Sequence, residues 1–224
     1  MQTAIITGAN KGIGLACVHR FLEEGFRVIG TGRSEFSLDK PNFEYHRFDV
    51  SNLDQVQTFY ENLNNLKSVE VLVNNAGLGH AGYINDISFE QWHEMFNINV
   101  NGLFYMTKLL MPTLIKNQKG HVFNISSIAG QEGIEGMSGY CATKFAVKGF
   151  SRSLYKEVRK FGVKVTTIYP GSVNTNFFDE IDAITANDSM MRARDVAETI
   201  YNAYNTFGNF HLTDIEMRPL QPKK

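Results

Sequence analysis

The chain has 224 residues, with 22 Lys and Arg against 23 Asp and Glu and an apolar share of 43%. At about 150 residues per domain, this length favours one α/β domain over residues 1–224 and leaves no room for a separate substrate domain. A net charge of −1 excludes a broad field for nucleic acid or an anionic membrane, and no run of 18 apolar residues marks a membrane span.

Cys17 and Cys141 lie far apart in the chain, and the six His residues show no ligand spacing. The expectation is two reduced thiols, no metal site and a cytoplasmic protein. β-branched apolar runs alternate with segments of helical period, which predicts a doubly wound parallel sheet of seven strands with helices on both faces.

The first strand is predicted at Thr3–Thr7 and the first helix at Gly12–Glu24, joined by Thr7-Gly8-Ala9-Asn10-Lys11-Gly12-Ile13-Gly14. Gly8 allows a tight turn, Gly12 lets backbone approach a phosphate, and Gly14 lets helix and strand pack closely. A P-loop is excluded, because Lys11 precedes the glycine instead of following it. The second strand, Arg27–Gly32, ends in Gly32-Arg33, and the third, Phe43–Asp49, ends in Asp49-Val50. A helix over Leu53–Asn64 leads to a strand at Glu70–Asn74 that runs into Asn75-Ala76-Gly77.

A long helix is predicted over Phe89–Lys116, carrying Asn99 in Asn-Val-Asn-Gly, with Pro112 expected to bend it or end it early. The fifth strand, His121–Ser126, is followed by Ser127, and the next helix, Ser138–Phe161, carries Tyr140 and Lys144. Those two are one turn apart on one helix face, so they can act on one ligand, with the ammonium lowering the phenol's pKa. The sixth strand, Lys164–Tyr169, ends in Pro170-Gly171; a helix at Ala193–Thr206 and a last strand at Phe210–Glu216 precede a fraying tail, Arg218–Lys224.

Ligands bind outside the carboxyl ends of the strands of an open parallel sheet, and here the glycine and polar residues gather at six such ends. Together, Thr7–Gly14, Asn74–Gly77, Asn99, Ser127, Tyr140-x3-Lys144 and Pro170-Gly171 resemble the compact short-chain dehydrogenase/reductase family over essentially the whole chain. The ending Phe210–Pro219 is similar to the branch of NADP-dependent 3-hydroxy acid and serine dehydrogenases.

The resemblance implies a catalytic set of Asn99, Ser127, Tyr140 and Lys144. Tyr140 is the general acid or base, and Ser127, thirteen residues before it, bonds the substrate oxygen. Lys144 holds the nicotinamide ribose, and Asn99 places a water in a proton relay. The implied cofactor-binding set is Thr7, Gly8, Asn10, Lys11, Gly12, Ile13, Gly14, Arg33, Asp49, Val50, Asn75, Ala76, Gly77, Tyr140, Lys144, Pro170, Gly171, Val173 and Thr175. Within it, Asp49 and Val50 would meet adenine, Asn75 would border the adenosine ribose and Thr175 would bond the carboxamide.

No carboxylate stands at the end of the second strand to accept a ribose 2′-hydroxyl. Arg33, with Lys11, suits a 2′-phosphate, so NADP(H) is expected as the preferred cofactor, with NAD(H) second. A short lid at about residues 176–192, with Phe177, Phe178, Ile181, Ile184, Met190 and Met191, would face a wall of Leu78, Gly79, Gly133, Ile134 and Met137. An apolar pocket of this kind predicts a small neutral carbonyl or alcohol as partner.

A homodimer or homotetramer is expected from the family resemblance, with Val100, Leu103, Phe104, Leu110, Phe145, Phe150 and Leu154 as candidates for either the interface or the core. Two other functions stand beside the dehydrogenase: a non-enzymatic NADP(H)-binding sensor, which the intact Asn99–Ser127–Tyr140–Lys144 set disfavours, and a 3-oxoacyl-acyl-carrier-protein reductase. A sugar epimerase using the same Tyr-Lys pair would need a larger C-terminal portion.

Overall fold

A computed structural model describes residues 1–175 and 187–221. Seven parallel strands, β1 (Thr3–Thr7), β2 (Arg27–Gly32), β3 (Phe43–Arg47), β4 (Val69–Asn74), β5 (Gly120–Ile125), β6 (Val163–Pro170) and β9 (Asp214–Met217), form one sheet. Its order is β3-β2-β1-β4-β5-β6-β9, so the chain winds outward from β1 in one direction and from β4 in the other. β1 and β4 therefore flank the point of reversal, where strand-end loops part to leave a crevice.

The helices are α1 (Gly12–Glu23), α2 (Leu53–Glu61), α3 (Phe89–Phe96), α4 (Leu103–Asn117), α5 (Ser138–Val158) and α6 (Ala193–Tyr204). β1 is buried at every residue, as a strand covered on both faces must be. On one face Ile5, Leu72, Met106, Leu110, Val122 and Leu154 build a core against α2, α4 and α5. On the other, Ile6, Val18, Phe21, Phe123, Val196 and Ile200 pack under α1 and α6.

Several boundaries differ from expectation. The long helix over Phe89–Lys116 is three pieces, with a π-type turn at Asn97–Gly102 between α3 and α4. Pro112 does not end α4, which continues to Asn117. Pro112 and Lys108 both face solvent, so water can take the carbonyl that the missing N–H leaves unpaired. β3 stops at Arg47, and Phe48 N–H donates to Gly32 O. The last strand begins at Asp214, not Phe210. Ahead of it, side chains occupy the β6 edge: His211 Nε2 lies 2.8 Å from Val165 O. Lys164 Nζ donates to Thr206 O and Phe207 O, both at 3.3 Å.

A short parallel pair, β7 (Val173–Asn174) with β8 (Met191–Arg192), brackets residues 176–186. The expected lid residues Phe177, Phe178, Ile181 and Ile184 lie outside the described residues, as does the end of the tail. Among the described residues no helix is long and apolar enough to cross a membrane.

Candidate active site

The carboxyl ends of the strands surround a cleft of about 280 Å³. Gly8, Asn10, Lys11, Gly12 and Ile13 line its floor, Asn75–Gly79 one side, Ser126, Ser127, Tyr140 and Lys144 the far end, and Pro170–Val173 with Thr175 the other side.

Gly8 (φ +63°) and Gly12 (φ +56°) take the left-handed conformation that side chains disfavour. Gly14 is confined by packing: a Cβ there would overlap the carbonyl oxygen of Gly8 and lie 2.6 Å from Asn75 Nδ2. Thr7 and Asn75 lock this turn to the loop after β4. Thr7 Oγ1 accepts from Asn75 N (3.0 Å) and Ala76 N (2.9 Å), while Asn75 Nδ2 donates to Thr7 O (2.9 Å) and Gly8 O (3.2 Å).

Side chains cap α2 and α3, Asn52 and Ser88, but none caps α1. Its leading N–H groups open on the cleft beside Gly12 and Ile13, where the helix dipole favours an anion. A glycine cradle with an uncapped helix start fits the pyrophosphate of a dinucleotide.

The far end of the cleft assembles from α5 and the end of β5. Tyr140 and Lys144 on α5 are 6% and 5% exposed. Lys144 Nζ donates to Ile125 O at 2.9 Å and lies 5.5 Å from the centre of the Tyr140 ring. Burial lowers the Lys144 ammonium to about 8. Burial also raises the Tyr140 phenol above its ordinary value, partly offset by a hydrogen bond with Ser127. The phenol is therefore shifted up, not down as expected from Lys144 alone, because desolvation penalises the phenolate more than its neighbours favour it.

Ser127 stands just beyond β5, and its Oγ also accepts from Ala129 N at 3.2 Å. Ser126 is buried, with its Oγ donating to Lys144 O at 3.1 Å, a bond that holds α5 to the end of β5.

Asn99 does not line the cleft. Its Oδ1 accepts from Leu78 N (2.9 Å), and its Nδ2 donates to Leu78 O (2.8 Å) and Thr143 Oγ1 (3.0 Å). It ties the loop after β4 and helix α5 to the π-type turn. Gly77 fits this junction, since a Cβ there would lie 3.1 Å from Asn99 Oδ1 and 3.6 Å from Lys144 Nζ.

Two expected adenine contacts fall outside the cleft lining. Asp49 Oδ1 accepts from Ser51 N (2.8 Å) and Ser51 Oγ (2.7 Å). Val50 is buried and packs where a Cβ on Gly102 would sit. On the opposite side Thr175 meets the glycine turn, 3.4 Å from a Cβ placed on Gly12, and Gly171 N–H donates to Met217 O at 2.7 Å.

Leu78, Gly79, Ile134 and Met137 line the cleft as expected, but Gly133 does not, and Ile125, Ile128, Ala129 and Ser172 join them. Strand period in β5 puts Ile125 near the cleft; the residues after it carry no comparable signal. Arg33 is at the cleft, but its Nη1 lies 3.8 Å from Glu94 Oε1 on α3. Nothing in the sequence singled out Glu94. Among the described residues no cluster of His, Cys, Asp or Glu could hold a metal.

A family model for the short chain dehydrogenase matches residues 2–185. The chain belongs to the short-chain dehydrogenase family. The chain is 31% identical over 190 residues to the 3-oxoacyl-acyl-carrier-protein reductase of Buchnera aphidicola, covering 82% of this dehydrogenase and 78% of that protein. It is 31% identical over 232 residues to an uncharacterized oxidoreductase of Staphylococcus aureus, covering 98% and 97%. Among solved structures, the closed form of serine dehydrogenase complexed with NADP+ superposes with a TM-score of 0.93 at 29% identity, covering 100% of this chain and 97% of that one. These matches bear out the expected fold and the likeness to the serine dehydrogenase branch.

Proposed function

We propose that this dehydrogenase interconverts a small neutral carbonyl compound and its alcohol, with NADP(H) as preferred cofactor and Tyr140 as general acid or base. The observation that carries the reading is the convergence of Ser127, Tyr140 and Lys144 at one end of a cleft whose floor is the glycine turn. A bound nicotinamide would supply or accept the hydride. The glycine turn and α1 would hold its pyrophosphate, and Arg33 and Lys11 its 2′-phosphate. The solved complex of serine dehydrogenase with NADP+ supports that choice by similarity.

In the reducing direction the substrate oxygen sits between Ser127 and Tyr140. Ser127 donates a hydrogen bond as negative charge develops, and Tyr140 gives its proton to that oxygen. A phenol raised by burial stays protonated through neutral pH, which suits a proton donor. Lys144, held by Ile125 O, keeps positive charge beside the phenolate that proton transfer leaves behind. Asn99 acts through position: from the π-type turn it fixes Leu78 and Thr143, and through them the loop after β4 and helix α5.

The apolar wall of Leu78, Ile134 and Met137 favours a neutral substrate. The Buchnera reductase supports a second reading, a 3-oxoacyl thioester, and consumption of NADPH across ketones, aldehydes, β-keto esters and 3-oxoacyl thioesters separates the two. Tyr140→Phe is expected to lose about 10²–10⁴-fold in kcat with dinucleotide affinity kept. Retention of more than about a tenth of turnover would overturn Tyr140 as the general acid or base.

We place the protein in the cytoplasm as a homo-oligomer. Cys17 is buried with its thiol pushed up to about 12, so it remains an inert thiol, and apolar side chains on α4 and α5 supply a surface for a second copy.

A further inference from the structure

Arg33, on which cofactor choice turns, is already engaged. It follows β2, whereas its partner Glu94 stands on α3, beyond β4, so the 3.8 Å pair joins the loop after β2 to a helix that follows the strand on the other side of β1. The other carboxylate oxygen of Glu94 lies 2.9 Å from His80 Nε2. The His80 side chain is 18% exposed, against 44% for Glu94 and 57% for Arg33. The imidazole is the most buried of the three and holds the carboxylate, while the guanidinium is the most exposed and has solvent on the side a ligand would take.

A 2′-phosphate binding at Arg33 must draw the guanidinium from this carboxylate or tolerate a charge of its own sign beside it. A 2′-hydroxyl makes no such demand and leaves the pair intact. Lys11 has no carboxylate partner among the described residues, so the competition falls on Arg33 alone.

We propose that Glu94 is a specificity-determining residue that competes with the 2′-phosphate for Arg33 and so keeps the preference for NADP(H) over NAD(H) below what the two cations would otherwise give. The proposal rests on the NADP(H) reading above.

Calorimetric titration of the whole protein with adenosine 2′,5′-bisphosphate and with 5′-AMP tests it without turnover. Glu94→Gln removes the charge while keeping an acceptor for His80. It is expected to bind the bisphosphate about three- to fivefold more tightly, with 5′-AMP unchanged. That gain should vanish in an Arg33→Ala background and shrink at about 0.5 M salt. Weaker bisphosphate binding in Glu94→Gln would mean that Glu94 orients Arg33 for the phosphate, and an unchanged ratio would mean no competition; either overturns the proposal. If Arg33→Ala lowers the bisphosphate-to-AMP ratio and Glu94→Gln leaves it alone, only this inference fails. If Arg33→Ala also leaves the ratio unchanged, the NADP(H) reading fails with it.

Discussion

Burial drives Tyr140 and Lys144 in opposite directions, since one is charged when deprotonated and the other when protonated. The Lys144 ammonium, lowered to about 8, is then the first of the two to lose its proton as pH rises, while the Tyr140 phenol, raised by burial, keeps its own. For carbonyl reduction both must be protonated. The value of kcat/KM for the dinucleotide, which reports the free enzyme, should therefore be flat on the acid side and fall as pH rises through about 8. A profile still flat two units higher would remove Lys144 from the site's charge. The same shift bears on stability. The folded state disfavours the ammonium, so its cost is fully present below about 8. It is relieved as pH rises toward the unfolded value of 10.5, because the unfolded chain binds the proton more tightly across that window. Lys144→Met should accordingly be more stable at pH 7 by about 1–3 kcal/mol while losing turnover, a trade that urea unfolding and an activity assay measure together.

At the scale of elements, the glycines separate into those that the fold requires and those that it tolerates. Gly14 lies where α1 crosses the end of β1, and any Cβ would press on the backbone carbonyl of Gly8, which cannot move aside as a side-chain tip can. Gly14→Ala should cost about 1–3 kcal/mol and weaken dinucleotide binding. Gly133→Ala, with open space around the added atom, should change melting temperature within error. Comparable losses from both would deny the turn its special geometry. This contrast also shows what was legible in the sequence. Alternating apolar runs specified each strand of the sheet, and the Thr7–Gly14, Asn74–Gly77 and Tyr140–Lys144 motifs located the cleft, because both signals are local in the chain. What escaped needs distant partners. Asn99 is held by Leu78 and Thr143, and the π-type turn around it breaks a helix that period alone joins. The start of β9 was misplaced because the His211 side chain takes the place of a strand at the β6 edge, meeting both N and O of Val165. Asp49 lies past the end of β3 at Arg47, and Ser51 takes its carboxylate.

The whole molecule places its binding cleft at the carboxyl ends of the strands and leaves one side of α4 and α5 to face outward from the core. Of the seven residues that the sequence left undecided between core and interface, Leu103, Leu110 and Leu154 are buried in the chain's own core. Phe104 and Phe145 remain 40% and 43% exposed. Phe150 meets Phe104 edge-on with ring centres 6.2 Å apart, so α4 and α5 meet through an aromatic pair and each leaves an exposed phenylalanine. Lys108 lies 5.5 Å from the Phe104 ring centre and Lys148 5.7 Å from that of Phe145, so each exposed ring has a charged neighbour, the pairing of apolar and charged groups that an association surface uses. Both phenylalanines are too exposed to be needed for folding. Light scattering of the wild-type protein should therefore report an oligomer, and the double substitution Phe104→Glu with Phe145→Glu should report a smaller species of unchanged circular dichroism. A wild type that scatters as a monomer at micromolar concentration would assign this surface no partner and would make the cleft the work of one chain alone.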